Sequence, residues 1–232
     1  MNLLSLLQAV PAEAIIETTE ETIAKEMSWF DMIIAGGLTM IPLGILLVIA
    51  VFIMIERFVV IRNASKEDTS FMNRIKDYIF EGKIESAINL CKQTQTPSAR
   101  MVEKGISRLG RPMNDVLVAI ENVGNLEIAK LEKGLGFLAT IAGGAPMLGF
   151  FGTVIGMVDA FFSMASKGDN TIVLSDLAGG IYTAMMTTVA GLFVGMIAYF
   201  AYNYLVLRVD SVVRNLETKN IEFLDMLNEP AN

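Results

Sequence analysis

Three stretches of this chain are long enough and apolar enough that a helix built from any of them must be buried or lie in lipid. Met32 to Ile55, MIIAGGLTMIPLGILLVIAVFIMI, and Leu177 to Leu207 contain no charged residue, and Leu135 to Met164 contains only Asp159. A helix needs about 20 residues to cross the hydrocarbon core. Backbone groups in lipid must be satisfied within the segment, which leaves the helix as the expected form of each run. The expected fold class is therefore an all-α membrane protein with three transmembrane helices. Composition agrees, with 53% hydrophobic residues and a mean hydropathy of +0.52.

Lys and Arg near spans hold loops in the cytoplasm. Residues 1–31 hold only Lys25, and the loop 165–176 holds only Lys167. Arg57, Arg62 and Lys66 follow the first span, Lys130 and Lys133 precede the second, and Arg208, Arg214 and Lys219 follow the third. This asymmetry predicts a periplasmic N-terminal segment over 1–31, a first span over 32–55 and a cytoplasmic region over 56–134. A second span over 135–164, a periplasmic loop over 165–176, a third span over 177–207 and a cytoplasmic C-terminal helix over 208–232 complete the layout.

The opening LLSLLQAVPAEA lacks a basic n-region and reads as a short amphipathic periplasmic segment, continued by the acidic EAIIETTEETIAKE. Between the first two spans, Phe71, Met72, Ile75, Tyr78 and Ile79 recur at helical spacing up to Gly82, and Ile84, Ala87, Ile88 and Cys91 do so before Thr96-Pro97. From Pro112, a stripe of Leu117, Ile120, Gly124, Ile128, Leu131 and Leu135 predicts a helix running without a breaker into the second span. Leu205, Val209, Val212, Leu216, Phe223 and Leu227 extend the third span toward the C-terminus in the same way. Such stalks require helix neighbours in the same or another subunit.

The chain has no histidine, and its one cysteine, Cys91, allows no internal disulfide and reads as a packed thiol. Gly134-Leu-Gly136-Phe-Leu-Ala139 matches a dinucleotide fingerprint, but it lies between a charged helix and a membrane run rather than between a strand and a helix. Asn63-Ala64-Ser65 matches a glycosylation acceptor on the inferred cytoplasmic side and is expected to be inert. No enzyme, cofactor, metal site or nucleic-acid partner is expected.

At about 100° per residue, Gly149, Gly152, Thr153, Gly156, Asp159, Ala160 and Ser163 fall on one face of the second span, with Phe and other bulky residues opposite. Gly180, Ala184, Thr187, Thr188, Gly191, Gly195 and Ala198 make a similar face on the third. Small residues let helix backbones approach closely where lipid supplies no hydrophobic drive, so the glycines read as packing surface. Thr153, Thr187 and Thr188 either bond back to a carbonyl one turn earlier or line a path. Asp159 would cost about 2.5–3.5 kcal/mol at the bilayer centre, which favours a cavity or path; near the outer interface it would simply meet water. Pro146, and Pro42 in the first span, remove backbone donors and predict local opening.

These residues resemble the MotA/TolQ/ExbB proton-channel family, and within it the ExbB and TolQ branch. The resemblance covers the three-span layout, the large insertion after the first span, LATIAGGAPMLGFFGTVIGM on the second span and GIYTAMMTTVAGLFVGMIAYFAYN on the third. It implies a bacterial inner-membrane motor subunit whose long cytoplasmic helical extensions belong to a homopentameric ring. The ring would surround a dimer of an ExbD- or TolR-like single-span protein that carries the essential aspartate. Inward proton flow would then drive force transfer to a TonB- or TolA-like protein. Thr153 in GFFGT and Thr188 in TTVAGL match the family's pore-lining threonines, and Pro146 matches a proline of the second span. Relatives carry a glutamate in a GIAEAL pattern where this chain has Thr183, so Asp159 or a hydroxyl-and-water relay would substitute, and a proton is favoured over sodium as coupling ion. A non-conducting scaffold and a self-contained ion channel are the rival expectations.

Overall fold

The computed structural model describes residues 36–66, 70–166 and 174–228, and the segment 1–31, expected above to be periplasmic, and Lys167 lie outside them. Among the described residues there are seven α-helices: α1 (Met40–Ala64), α2 (Phe71–Phe80), α3 (Ile84–Thr94), α4 (Pro97–Ile106), α5 (Met113–Glu132), α6 (Leu135–Ser166) and α7 (Leu174–Asn228). A 3-10 turn, Gly37–Thr39, leads into α1, and there is no strand among the described residues. Three stretches of these helices are long and apolar enough to cross a membrane. Their apolar rims face outward, with Phe52, Phe150, Phe162 and Phe200 all at least 64% exposed, as lipid-facing side chains must be.

The longest helix, α7, carries the architecture. It runs unbroken for 55 residues, so one rigid rod joins the membrane region to the soluble bundle, as the continuous apolar stripe predicts. Its membrane half packs antiparallel along α6 and, on an adjacent side, along α1; its distal half packs on α4 and α5. In the soluble bundle Phe223 and Ile120 are buried, and each such side chain contributes about 1.5–3 kcal/mol on removal from water. Gly105 makes room for them, because a Cβ there would stand 2.5 Å from the Phe223 ring and 2.9 Å from the Ile120 Cδ1.

The stripe before the second span is interrupted, contrary to the sequence expectation. Helix α5 ends at Glu132, Lys133 turns to φ −53°, ψ 127°, and Gly134 takes φ +87° before α6 begins. The hydrophobic spacing conceals this break because both helices keep their apolar faces toward α7. The buried line of α5 is also rotated, running through Val116, Ile120, Gly124, Glu127 and Leu131 rather than through Leu117 and Ile128. Pro42 lies in the first turn of α1, where its missing N–H has no intrahelical acceptor, so it opens nothing there.

Short helices in the insertion are set by local chemistry. Thr96 caps α4, its Oγ1 accepting from the Ala99 N–H at 3.3 Å, and Pro97 occupies the first helical position. Cys91 is buried on the inner side of α3. Desolvation, with Glu103 nearby, pushes its thiol up to about 12. At pH 8 the thiolate is therefore scarce, and alkylation of the folded protein by iodoacetamide should run on the order of a hundredfold slower than in denaturant. Comparable rates in the two states would show that α3 opens readily.

Candidate functional site

The two small-residue faces meet each other. Along the antiparallel pair α6/α7, Gly195 lies on Pro146, Gly191 on Gly149, Thr187 on Gly152, Ala184 on Gly156, and Gly180 on Ala160. A Cβ at Gly191 would stand 2.7 Å from the Ala145 carbonyl oxygen and 2.8 Å from the Gly149 Cα, and one at Gly149 2.8 Å from the Thr187 carbonyl oxygen. These are backbone neighbours that cannot rotate away, so the two helices are in main-chain contact. Pro146 lies within α6, so the Ala142 carbonyl loses its usual intrahelical donor. Gly195 admits the α7 backbone at that point, where a Cβ would come 3.1 Å from the same oxygen.

The threonines sort by position. Thr187 is 1% exposed, inside the helix pair; its Oγ1 donates to the Ala184 carbonyl at 2.7 Å and lies 3.3 Å from that of Gly149. Thr188 is half-buried and donates across to the Gly149 carbonyl at 3.2 Å, which ties α7 to α6. Thr153 is also half-buried and donates to the Phe150 carbonyl at 2.6 Å. Each hydroxyl has one proton, and all three protons are engaged by carbonyls. What Thr153 and Thr188 retain at the margin of the pair is their oxygen lone pairs, which can accept from water or from a protonated carboxyl.

Helical projection divides the pair into two edges. From the buried centre of each face, Thr153 on α6 and Thr188 on α7 turn to one edge, and the Gly152–Thr187 register puts them at one level. Asp159 and Thr183 turn to the opposite edge, within about 3 Å of each other along the helix axis by register. Toward the other end of α7 that second edge is covered by α1, where the Phe58 ring stacks on Tyr204 with centroids 6.3 Å apart. The Thr153/Thr188 edge carries no such cover among the described residues. Asp159 and Ser163 are exposed.

A polar cluster at the α5/α6 joint escaped the sequence pattern. Arg57, 7% exposed, donates Nη1 to the Lys130 carbonyl at 3.1 Å and Nη2 to the Glu56 carboxylate at 2.5 Å. It thereby satisfies a carbonyl in the last turn of α5 that the break leaves without a helical donor. Glu127, 5% exposed, accepts from Arg100 at 2.5 Å and Lys130 at 2.6 Å, joining α4 to α5. The detectable signal was Glu127 itself, an acid lying in line with Ile120, Gly124 and Leu131. Among the described residues no group of acids and cysteine is arranged to hold a metal ion.

The profile of the MotA/TolQ/ExbB proton channel family matches residues 93–218, more than half of the chain, and so spans both membrane helices of the pair and the Arg100/Glu127 cluster. The chain belongs to this family. As a proton-channel family, it is a class of membrane transport proteins rather than of enzymes. The chain is 28% identical to the Tol-Pal system protein TolQ of Haemophilus influenzae, over 89% of its own length and 96% of that protein. It is also 28% identical to a putative biopolymer transport protein ExbB homolog of Methanothermobacter thermautotrophicus, over 81% of its length, and spans only 66% of that longer relative. With the biopolymer transport protein ExbB of Neisseria gonorrhoeae it shares 38% identity over 40% of the chain and 42% of the relative.

Proposed function

We propose that this chain is an ExbB-like subunit of an inner-membrane proton-driven motor, with its N-terminus periplasmic and residues 56–134 and 208–232 cytoplasmic. Five copies form a ring around a dimer of an ExbD-like single-span protein, and inward proton flow is converted to force on a TonB-like component. The observation that carries this reading is the placement of Thr153 and Thr188 at one level on the uncovered edge of α6/α7, with lone pairs free. A carboxyl on a partner helix at that edge would exchange its proton with water held by these two oxygens. Thr187, sealed inside the pair, serves packing. Asp159 and Thr183 lie on the other edge and form a separate polar point toward the outer end. The match over 96% of the Haemophilus TolQ favours, as a second reading, a TolQ-like motor acting on a TolA-like component through the same geometry.

The test is co-expression with the single-span partner, followed by proton uptake in proteoliposomes. Thr153→Val and Thr188→Val, which keep shape and remove the lone pairs, should each lower proton flux at least about tenfold, roughly the 1.4 kcal/mol of one lost hydrogen bond to a charged group. Subunit stoichiometry should be unchanged. Replacing sodium by potassium should leave the flux unchanged if protons are the coupling ion. Full flux in both valine variants would overturn the threonine path, and no flux above background from the unmodified complex would establish the non-conducting scaffold instead.

A further inference from the structure

We infer that the soluble bundle carries its own ring-forming contact, in which the outer face of the α7 tail of one copy seats in a groove between α4 and α5 of the next. The inference rests on the ring proposed above and names the surface that closes it. The groove encloses about 580 Å³ and is lined by Lys104 of α4, by Arg108 in the turn that follows it, and by Asp115, Val118 and Leu126 of α5, among others. Its floor is apolar yet open, since Val118 is 46% and Leu126 63% exposed. The described residues place no ion-pair partner on Lys104 or Arg108.

The complementary surface lies on the same chain. Ile221 is 59% exposed, and Glu217 and Asp225 stand one turn before and one turn after it, also exposed. With Asp210 and Arg214 farther up the same face, this strip is net acidic, with an apolar centre. The groove is net basic, with an apolar floor. Opposite charge around an apolar centre sets partner and register more than it adds affinity.

Level decides between closure and open growth. Gly105, Ile120 and Phe223 pack together, so the groove and the Ile221 strip of one copy lie at the same height along the bundle. A head-to-tail contact between two surfaces at one height can repeat by rotation alone, which closes a ring; a height offset would produce a helical filament. The buried side of α7, through Phe223, faces α4 and α5 of its own chain, so the Ile221 side is directed away from its own groove and cannot fill it.

Disulfide trapping in native membranes tests this. In a Cys91→Ser background, Leu126→Cys and Ile221→Cys are introduced singly and together, and mild oxidation is followed by non-reducing electrophoresis. The double variant should form a ladder up to the full ring, and each single variant should stay monomeric. Charge reversal of Lys104 and Arg108 to Glu should lower ladder yield at least fivefold, and adding Glu217→Lys with Asp225→Lys should restore it. Dimers from either single variant would mean a two-fold contact and overturn the proposal. So would the absence of a ladder while native mass spectrometry shows an intact ring, or trapping of the single-span partner by Leu126→Cys. A monomer by native mass spectrometry in the unmodified chain would instead overturn the ring itself.

Discussion

Replacing Gly191 by valine should abolish accumulation of the folded protein. The added Cβ would lie 2.7 Å from the Ala145 carbonyl and 2.8 Å from the Gly149 Cα, so the two longest membrane helices would have to separate along their contact. Overpacking into mobile side chains costs about 1–3 kcal/mol, and against backbone the cost belongs at or above the top of that range. Separation also breaks the Thr188 to Gly149 hydrogen bond and exposes the Ala142 carbonyl beside Pro146. The measurement is the amount of monodisperse protein extracted from membranes, expected to fall more than about tenfold. Gly143→Ala is the control, since a Cβ there meets nothing within 4 Å in its own chain. Alanine also has a helix propensity about 1 kcal/mol better than glycine. Normal yield from Gly191→Val would mean that α6 and α7 are not in main-chain contact.

Removing both Arg100 and Lys130 should be the most damaging change in the soluble bundle. Glu127 is 5% exposed, and these two cations are its partners. Stranding a buried carboxylate costs about 3–5 kcal/mol, whereas replacing a whole buried ionic group by apolar side chains is often neutral. Arg100→Ala/Lys130→Ala should therefore lower the thermal midpoint by roughly 10 °C, at about 2–4 °C per kcal/mol for a chain of this size. Adding Glu127→Leu should recover most of that loss. Each single cation removal should cost less, because the remaining one still pairs. If the triple variant is no more stable than the double, Glu127 is not the stranded charge and the cluster does not hold α4 to α5.

Much of this was legible along the chain. The three apolar runs, the small faces of α6 and α7, and the continuation of α7 to its distal end all follow from periodicity, because each is a property of a single helix. The break at Lys133-Gly134 was not legible, since Gly134 satisfies helical spacing equally well and only its φ of +87° separates α5 from α6. The Arg57 and Glu127 contacts were hidden for a related reason. Their partners are 73 residues away for Arg57 and 27 for Glu127 with Arg100, and no local pattern encodes such pairings.

By itself, the sequence determined that this chain is helical, membrane-spanning and two-faced, because lipid demands internally bonded backbone and a helix shows its chemistry at a fixed angle per residue. Only the tertiary structure decided which small residues are packing and which are edge. Thr187 and Thr188 are adjacent in the chain and nearly equivalent by composition. One is sealed against Gly152 and the other reaches across to Gly149 with an open lone pair, because the register of α6 on α7 turns a 100° step into the difference between inside and rim.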